Sequence, residues 1–186
     1  MKAACAMAVS VLLAGAGNDA LAQAYPAGSE MHRIVRSDRG PMGNLTVPGQ
    51  IFPAALPLSP SSANPAVAAI GIFQAGTLAG NAQYAATAVC PADVASFLTD
   101  MSTDMAGAAQ YLQGFPVREA LGVFAWGTNY VVVLARLRNG SDVQMRHYPL
   151  RQLAPNRFCL THDLSGDTIL LQTAGLMLVN VNGQLY

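Results

Sequence analysis

The sequence predicts an α+β domain, with helices first and a curved antiparallel sheet after them, and three observations carry that reading. Apolar residues recur at helical spacing between Pro65 and Gly114. Beyond Gly114 the pattern changes to runs rich in β-branched and aromatic residues, and Asn139-Gly140 falls between two such runs as a hairpin turn. Taken in order, the elements divide the 186 residues into a leader (1–24), a Pro-rich extended arm or linker (25–65) and a single α+β domain (66–186).

The leader begins with Lys2, runs through an apolar stretch from Ala3 to Ala16, and reaches Ala20-Leu21-Ala22 and Ala22-Gln23-Ala24. A basic start, an apolar centre and small residues at the end are the pattern of a cleavable secretory signal. The apolar centre is shorter than the roughly 20 residues a permanent transmembrane helix needs. The expected compartment is therefore periplasmic or extracellular, with a buried N-terminal helix as the competing reading.

The sequence holds ten basic and ten acidic residues. Lys2 is the one lysine and Asp19 one of the acids, so nine arginines face nine acids after residue 24. A balance of that kind gives no electrostatic footprint for nucleic acid or for an anionic membrane surface. Of three cysteines, Cys5 lies in the leader, which leaves Cys90 and Cys159. An even pair in an oxidising compartment is most simply a disulfide, stabilising by about 4 kcal/mol through the entropy it removes from the unfolded chain.

Seven prolines (26, 41, 48, 53, 57, 60 and 65) punctuate residues 25–65, where a short strand near Leu45 to Phe52 is expected. Its Ile51, Phe52, Leu56 and Leu58 suit packing on the domain. From Pro65 to Val89 the spacing of Val67, Ile70 and Phe73 predicts a helix, broken at Gly76 or Gly80 and followed by a shorter one. Pro91 suits the first turn of a third helix and Asp93 its positive end, with Val94, Phe97, Leu98, Met101 and Met105 on its apolar face.

Strands are expected over Leu121 to Trp126, Asn129 to Arg138, Ser141 to Leu150 and Arg157 to His162. Two registers compete at Asn139-Gly140. A two-residue loop made of these residues pairs Val133 with Arg146 and mixes apolar and charged side chains on each face. A three-residue loop places Val131, Val133, Ala135, Leu137, Val143, Met145 and His147 on one face and sets Arg136 opposite Asp142, and it is preferred for its clean apolar face. The stretch from Thr168 to Val181 is again apolar, too short to span a membrane, and suits a strand pair or a helix.

Helices followed by a hairpin-rich sheet, with Asn64-Pro65-Ala66-Val67, Phe73 and Gly80, then Tyr130 to Arg138, Asn139-Gly140, and Asn156 to Leu164, resemble the nuclear transport factor 2-like (cystatin-like) superfamily over residues 64–165. The resemblance implies a cone-like fold with a pocket between the helices and the concave sheet face. It also implies a choice among small hydrolases, dehydratases, isomerases and non-catalytic modules of larger assemblies. Members that are enzymes carry a polar dyad or triad inside the cone, and no motif here aligns with one.

The candidate chemistry is sparse. His147, with a pKa near neutrality, is the candidate general base or ligand contact, against a core histidine bonded to backbone. Asp163 or Asp142 is its candidate assistant, although His162 and Asp163 are strand neighbours that face opposite ways. Trp126 and Tyr130 flank Gly127 as candidate lining of a pocket mouth, with core packing as the alternative. His32, His147 and His162 lack local ligand spacing, so no metal and no cofactor is expected. The reading that results is a non-enzymatic exported module binding a partner protein or a small apolar ligand. A small hydrolase or isomerase acting on an apolar substrate is the alternative.

Overall fold

The structure, a computed structural model, describes residues 45–165 together with 31–35, 178–181 and 184–185, and side chains over 49–165. The leader and residues 168–177 of the apolar stretch lie outside the described residues. Eight strands are ordered β6-β5-β4-β3-β2-β1-β7-β8. They are β1 (Met31–Val35), β2 (Leu45–Pro57), β3 (Val117–Ala125), β4 (Tyr130–Asn139), β5 (Asp142–Ala154), β6 (Arg157–Leu160), β7 (Leu178–Val181) and β8 (Gln184–Leu185), and all their pairings are antiparallel. Three helices precede β3, namely α1 (Pro65–Leu78), α2 (Ala82–Ala86) and α3 (Val94–Gln113). The chain is thus α+β, with an open antiparallel sheet of five strands, β2 to β6, at its centre.

The short strand expected near Leu45 to Phe52 is a 13-residue one, so residues 45–57 of the presumed arm belong to the sheet. A bulge between Ile51 and Leu56 accommodates Pro53 while β2 pairs with β3 on both sides of the irregularity. Among the residues of the apolar stretch, 178–181 form β7 against β1, and 184–185 follow as β8.

Local chemistry sets the helix ends. Asn64 caps α1, its side chain accepting from Ala66 N and Val67 N, with Pro65 at the first helical position. The helix runs through Gly76 and stops at Gly80, whose φ of +64° is the left-handed conformation glycine adopts at least cost. Asn81 N donates to Gly76 O (2.8 Å) and Gly80 N to Thr77 O (3.0 Å), the paired bonds of a Schellman motif. Asn81 then caps α2, accepting from Tyr84 N. Helix α3 begins at Val94, later than Pro91 suggests. Asp93 holds the cap position without capping through its side chain, which accepts from His162 N (3.2 Å) instead.

The helix layer is fastened to the β6 edge. Cys90 and Cys159 form a disulfide with Cα atoms 4.8 Å apart. Beside it Cys90 N donates to Leu160 O and Leu160 N to Ala88 O, each at 2.8 Å. At the other end of α3, Arg118 of β3 donates to Leu112 O in the last turn and to Phe115 O just beyond it (3.1 Å each), a cation at the negative end of the helix.

Neither register weighed for the β4–β5 hairpin is the observed one. Asn139 pairs with Asp142, so the loop is Gly140-Ser141, with Gly140 at φ +58° as the first loop residue of a two-residue hairpin. Val133 accordingly pairs with Tyr148, Leu134 with His147 and Arg136 with Met145. Val133 and Ala135 are buried, yet Val143 is 47% exposed and Met145 lies on the other face. Arg136 bonds Glu119 of β3 (2.8 Å) rather than Asp142. Both faces of β4 are buried, so alternation on β4 does not fix the register and one clean apolar face is not required of the hairpin.

That second buried face defines the architecture. On the helix side, Val67 and Ile70 of α1 pack on Phe52, Val123, Val131, Val133 and Leu150. On the opposite side, Leu121, Phe124, Trp126, Val132 and Leu134 form a separate cluster flanked by Ile51, Ala55, Met145 and Leu164, with no helical residue in it.

Candidate functional site

The residues singled out in the sequence do not converge. His147 sits opposite Leu134, on the face away from the helices and not among Val131, Val133 and Leu137 as expected. Its Nε2 is buried without a hydrogen-bond partner, and burial pushes the imidazole down to about 4. It is therefore neutral at pH 7, and Asp163 does not touch it. Asp163 accepts from Tyr130 Oη (2.9 Å) and pairs with Arg151 (3.5 Å) at the surface, while its own N–H donates to Thr161 Oγ1. The Asp163 bond raises the Tyr130 phenol above its ordinary value. Asp142 closes the hairpin loop.

Trp126, 9% exposed, is part of the apolar cluster opposite the helices, and Tyr130 packs against that cluster from its rim. His162 contributes its backbone N–H to Asp93, and Ser165 N donates to His162 O in a turn. The His32 side chain lies outside the described ones. Among the described residues no group of three or more His, Cys, Asp or Glu is arranged to hold a metal ion. No helix among them is long and apolar enough to cross a membrane.

A different set of side chains does converge, on the helix side of the sheet. Gln74 of α1 is 1% exposed, and its Nε2 donates to Tyr148 Oη of β5 (3.0 Å). Burial raises the Tyr148 phenol, and the Gln74 bond acts against that shift. Two and four residues back along β5, on the same face, stand Arg146 and Gln144. Tyr111 of α3 donates to Gln144 Oε1 (2.6 Å) and accepts from Arg146 Nε (3.0 Å), while the Arg146 guanidinium lies 5.1 Å from the Tyr111 ring centroid. The result is a polar track from exposed Tyr111 and Arg146 down to buried Gln74.

Sequence reasoning missed this track, although a signal was present. Gln74 follows Val67 and Ile70 at seven and four residues, so it lies on the apolar stripe of α1, where an amide is out of place unless it has a partner. Tyr148 was obscured by the wrong hairpin register, which gave its face to His147.

A second feature follows from register alone. β6 pairs with β5 only between Leu150 and Ala154, which leaves the edge of β5 from Asp142 to Tyr148 unpaired among the described strands. In a two-residue hairpin the residues flanking the loop exchange both backbone bonds, and the pattern alternates from there. Gln144, Arg146 and Tyr148 therefore bond to β4, whereas Val143, Met145 and His147 point their N–H and C=O groups away from the sheet. Pro149, next in that outward series, has no N–H to offer, and its carbonyl accepts from Thr161 N (3.3 Å).

Comparison of the chain with family models, with curated proteins and with solved structures found no match. The functional reading rests on the residues themselves.

Proposed function

We propose that the chain is an exported, non-enzymatic binding module of the nuclear transport factor 2-like kind, its helices and curved sheet forming the cone of that fold, and that it binds a partner protein or a small apolar ligand. The observation that carries the reading is the open edge of β5. Three outward-facing residues, Val143, Met145 and His147, offer backbone donors and acceptors in strand geometry, and exposed Val143 supplies an apolar side chain. An extended segment of a partner adds to such an edge by main-chain hydrogen bonding. Separation of His147 from Asp163 speaks against the hydrolase or isomerase, which needs a base and its assistant within hydrogen-bond reach. The Cys90–Cys159 disulfide supports an oxidising compartment, as the leader also does.

The test uses the protein isolated from the exported fraction of its native cells. Wild type is expected to co-purify with a partner chain in fixed stoichiometry and to begin near Tyr25. Val143→Pro, which removes one outward N–H and leaves the β4 ladder intact, is expected to lose the partner while melting within a few degrees of wild type. Turnover of esters or epoxides that disappears in His147→Ala, with the melting temperature unchanged, would establish the enzyme instead.

A further inference from the structure

The Gln74–Tyr148 pair is left incomplete by the described residues. Gln74 Oε1 is buried and has no hydrogen-bond partner among the described residues, and the Tyr148 hydroxyl accepts from Gln74 without a protein acceptor for its own proton. Turning the amide over does not close the account. Tyr148 would then donate to Oε1, and the buried Nε2 would be the group without a partner. In the first orientation Gln74 Oε1 wants a donor and the Tyr148 proton an acceptor, and in the second Nε2 wants an acceptor; Tyr148 packs against the cluster that holds Ile70, Val133 and Leu150.

We infer that this pair binds the hydroxyl end of a small, otherwise apolar molecule. A hydroxyl is the smallest group that both donates and accepts, so it can give its proton to Gln74 Oε1 while accepting from Tyr148. A ketone could only accept, and a hydrocarbon would leave both groups unpaired, at a cost that makes buried polar atoms strong discriminators. The apolar body of the ligand would lie against the helix-side core, and Tyr111, Gln144 and Arg146 stand between the pair and the surface on the same face of β5. This inference rests on the small-ligand arm of the proposed function and gives that arm a chemical class.

Cyclohexanol and methylcyclohexane, alike in size and differing in the hydroxyl, are the probes. Titrated into the full chain and followed by NMR, cyclohexanol is expected to shift the Gln74 side-chain amide and the Tyr148 ring signals saturably, and methylcyclohexane to leave them unmoved. Tyr148→Phe, which keeps the ring, and Gln74→Leu are each expected to weaken the cyclohexanol response tenfold or more; if the leucine variant does not fold, the phenylalanine variant decides. Equal responses to the two probes, no saturable response, or a response untouched by Tyr148→Phe would overturn the inference and leave the pair as the seat of a buried water only. Partner capture by Tyr148→Phe separates this failure from that of the wider reading, since the β5 edge does not depend on the Tyr148 hydroxyl.

Discussion

The two faces of the central sheet are both apolar, and they are built differently. The helix-side face combines Val, Ala and Leu side chains with the rings of Phe52 and Phe158 beneath α1, and it carries the polar track that ends at Gln74 and Tyr148. The opposite face holds the rings of Phe124 and Trp126 and, by register, the buried imidazole of His147. Val67 and Ile70 seat α1 on that helix-side face. Polar groups are tolerated there only in pairs, which is where recognition chemistry can sit. The opposite face carries the partly exposed Arg136–Glu119 pair but offers the His147 imidazole no partner among the described residues, so burial holds that imidazole neutral.

The largest expected effect removes the clamp that holds the helices to the sheet. Replacing Cys90 and Cys159 by Ser is expected to cost about 4 kcal/mol by the chain-entropy argument, a drop on the order of 10 °C in Tm. Thermal melts of the variant and of reduced wild type measure it; a drop of a degree or two would mean that the backbone bonds at Ala88, Cys90 and Leu160 suffice.

Next come matched truncations, one per face. Ile70→Ala is expected to cost about 2–5 kcal/mol and Phe124→Ala about 3–5 kcal/mol, since both side chains are fully buried. Denaturant titration of the pair sharpens the comparison. A cost below about 1 kcal/mol for Phe124→Ala would show that the face opposite the helices is not a core in solution.

His147 predicts an acid sensitivity seated on the opposite face. With the folded imidazole at about 4 and the unfolded one near 6.5, the unfolded chain takes up the proton first as pH falls. The His147 contribution is thus intact above pH 6.5 and is lost between pH 6.5 and 4, by up to about 3 kcal/mol. Melts across that range on wild type and His147→Leu check it, the variant lacking this part of the slope. His147→Ala is expected to change stability more than any binding or turnover. The smallest effect belongs to Glu119→Gln, which breaks the partly exposed pair with Arg136 on that same face and is expected to cost about 1 kcal/mol or less, falling further in salt.

Much of the architecture was legible because it depends on local rules. Asn64-Pro65 and Gly80-Asn81 mark helix ends through their own side chains and backbone preferences, and the cysteine pair follows from compartment and count. The hairpin register was not legible, because a strand buried on both faces has no polar side to fix its phase. Gly140-Ser141 and Asn139-Gly140 are both acceptable turns. That single ambiguity moved His147 onto the wrong face and concealed Tyr148. Bond partners seventy residues apart, such as Gln74 with Tyr148, depend on tertiary packing and leave in the sequence only the trace of an amide on an apolar stripe.

Hydrogen exchange along β5 in the isolated chain tests the register and the open edge together. The amides of Gln144 and Arg146, bonded to β4, are expected to be strongly protected, and those of Val143 and Met145 to exchange quickly, an alternation within one strand. Slow exchange at all four would show the edge already covered, and protection of Val143 and Met145 with fast exchange at Gln144 and Arg146 would contradict the register on which the account stands.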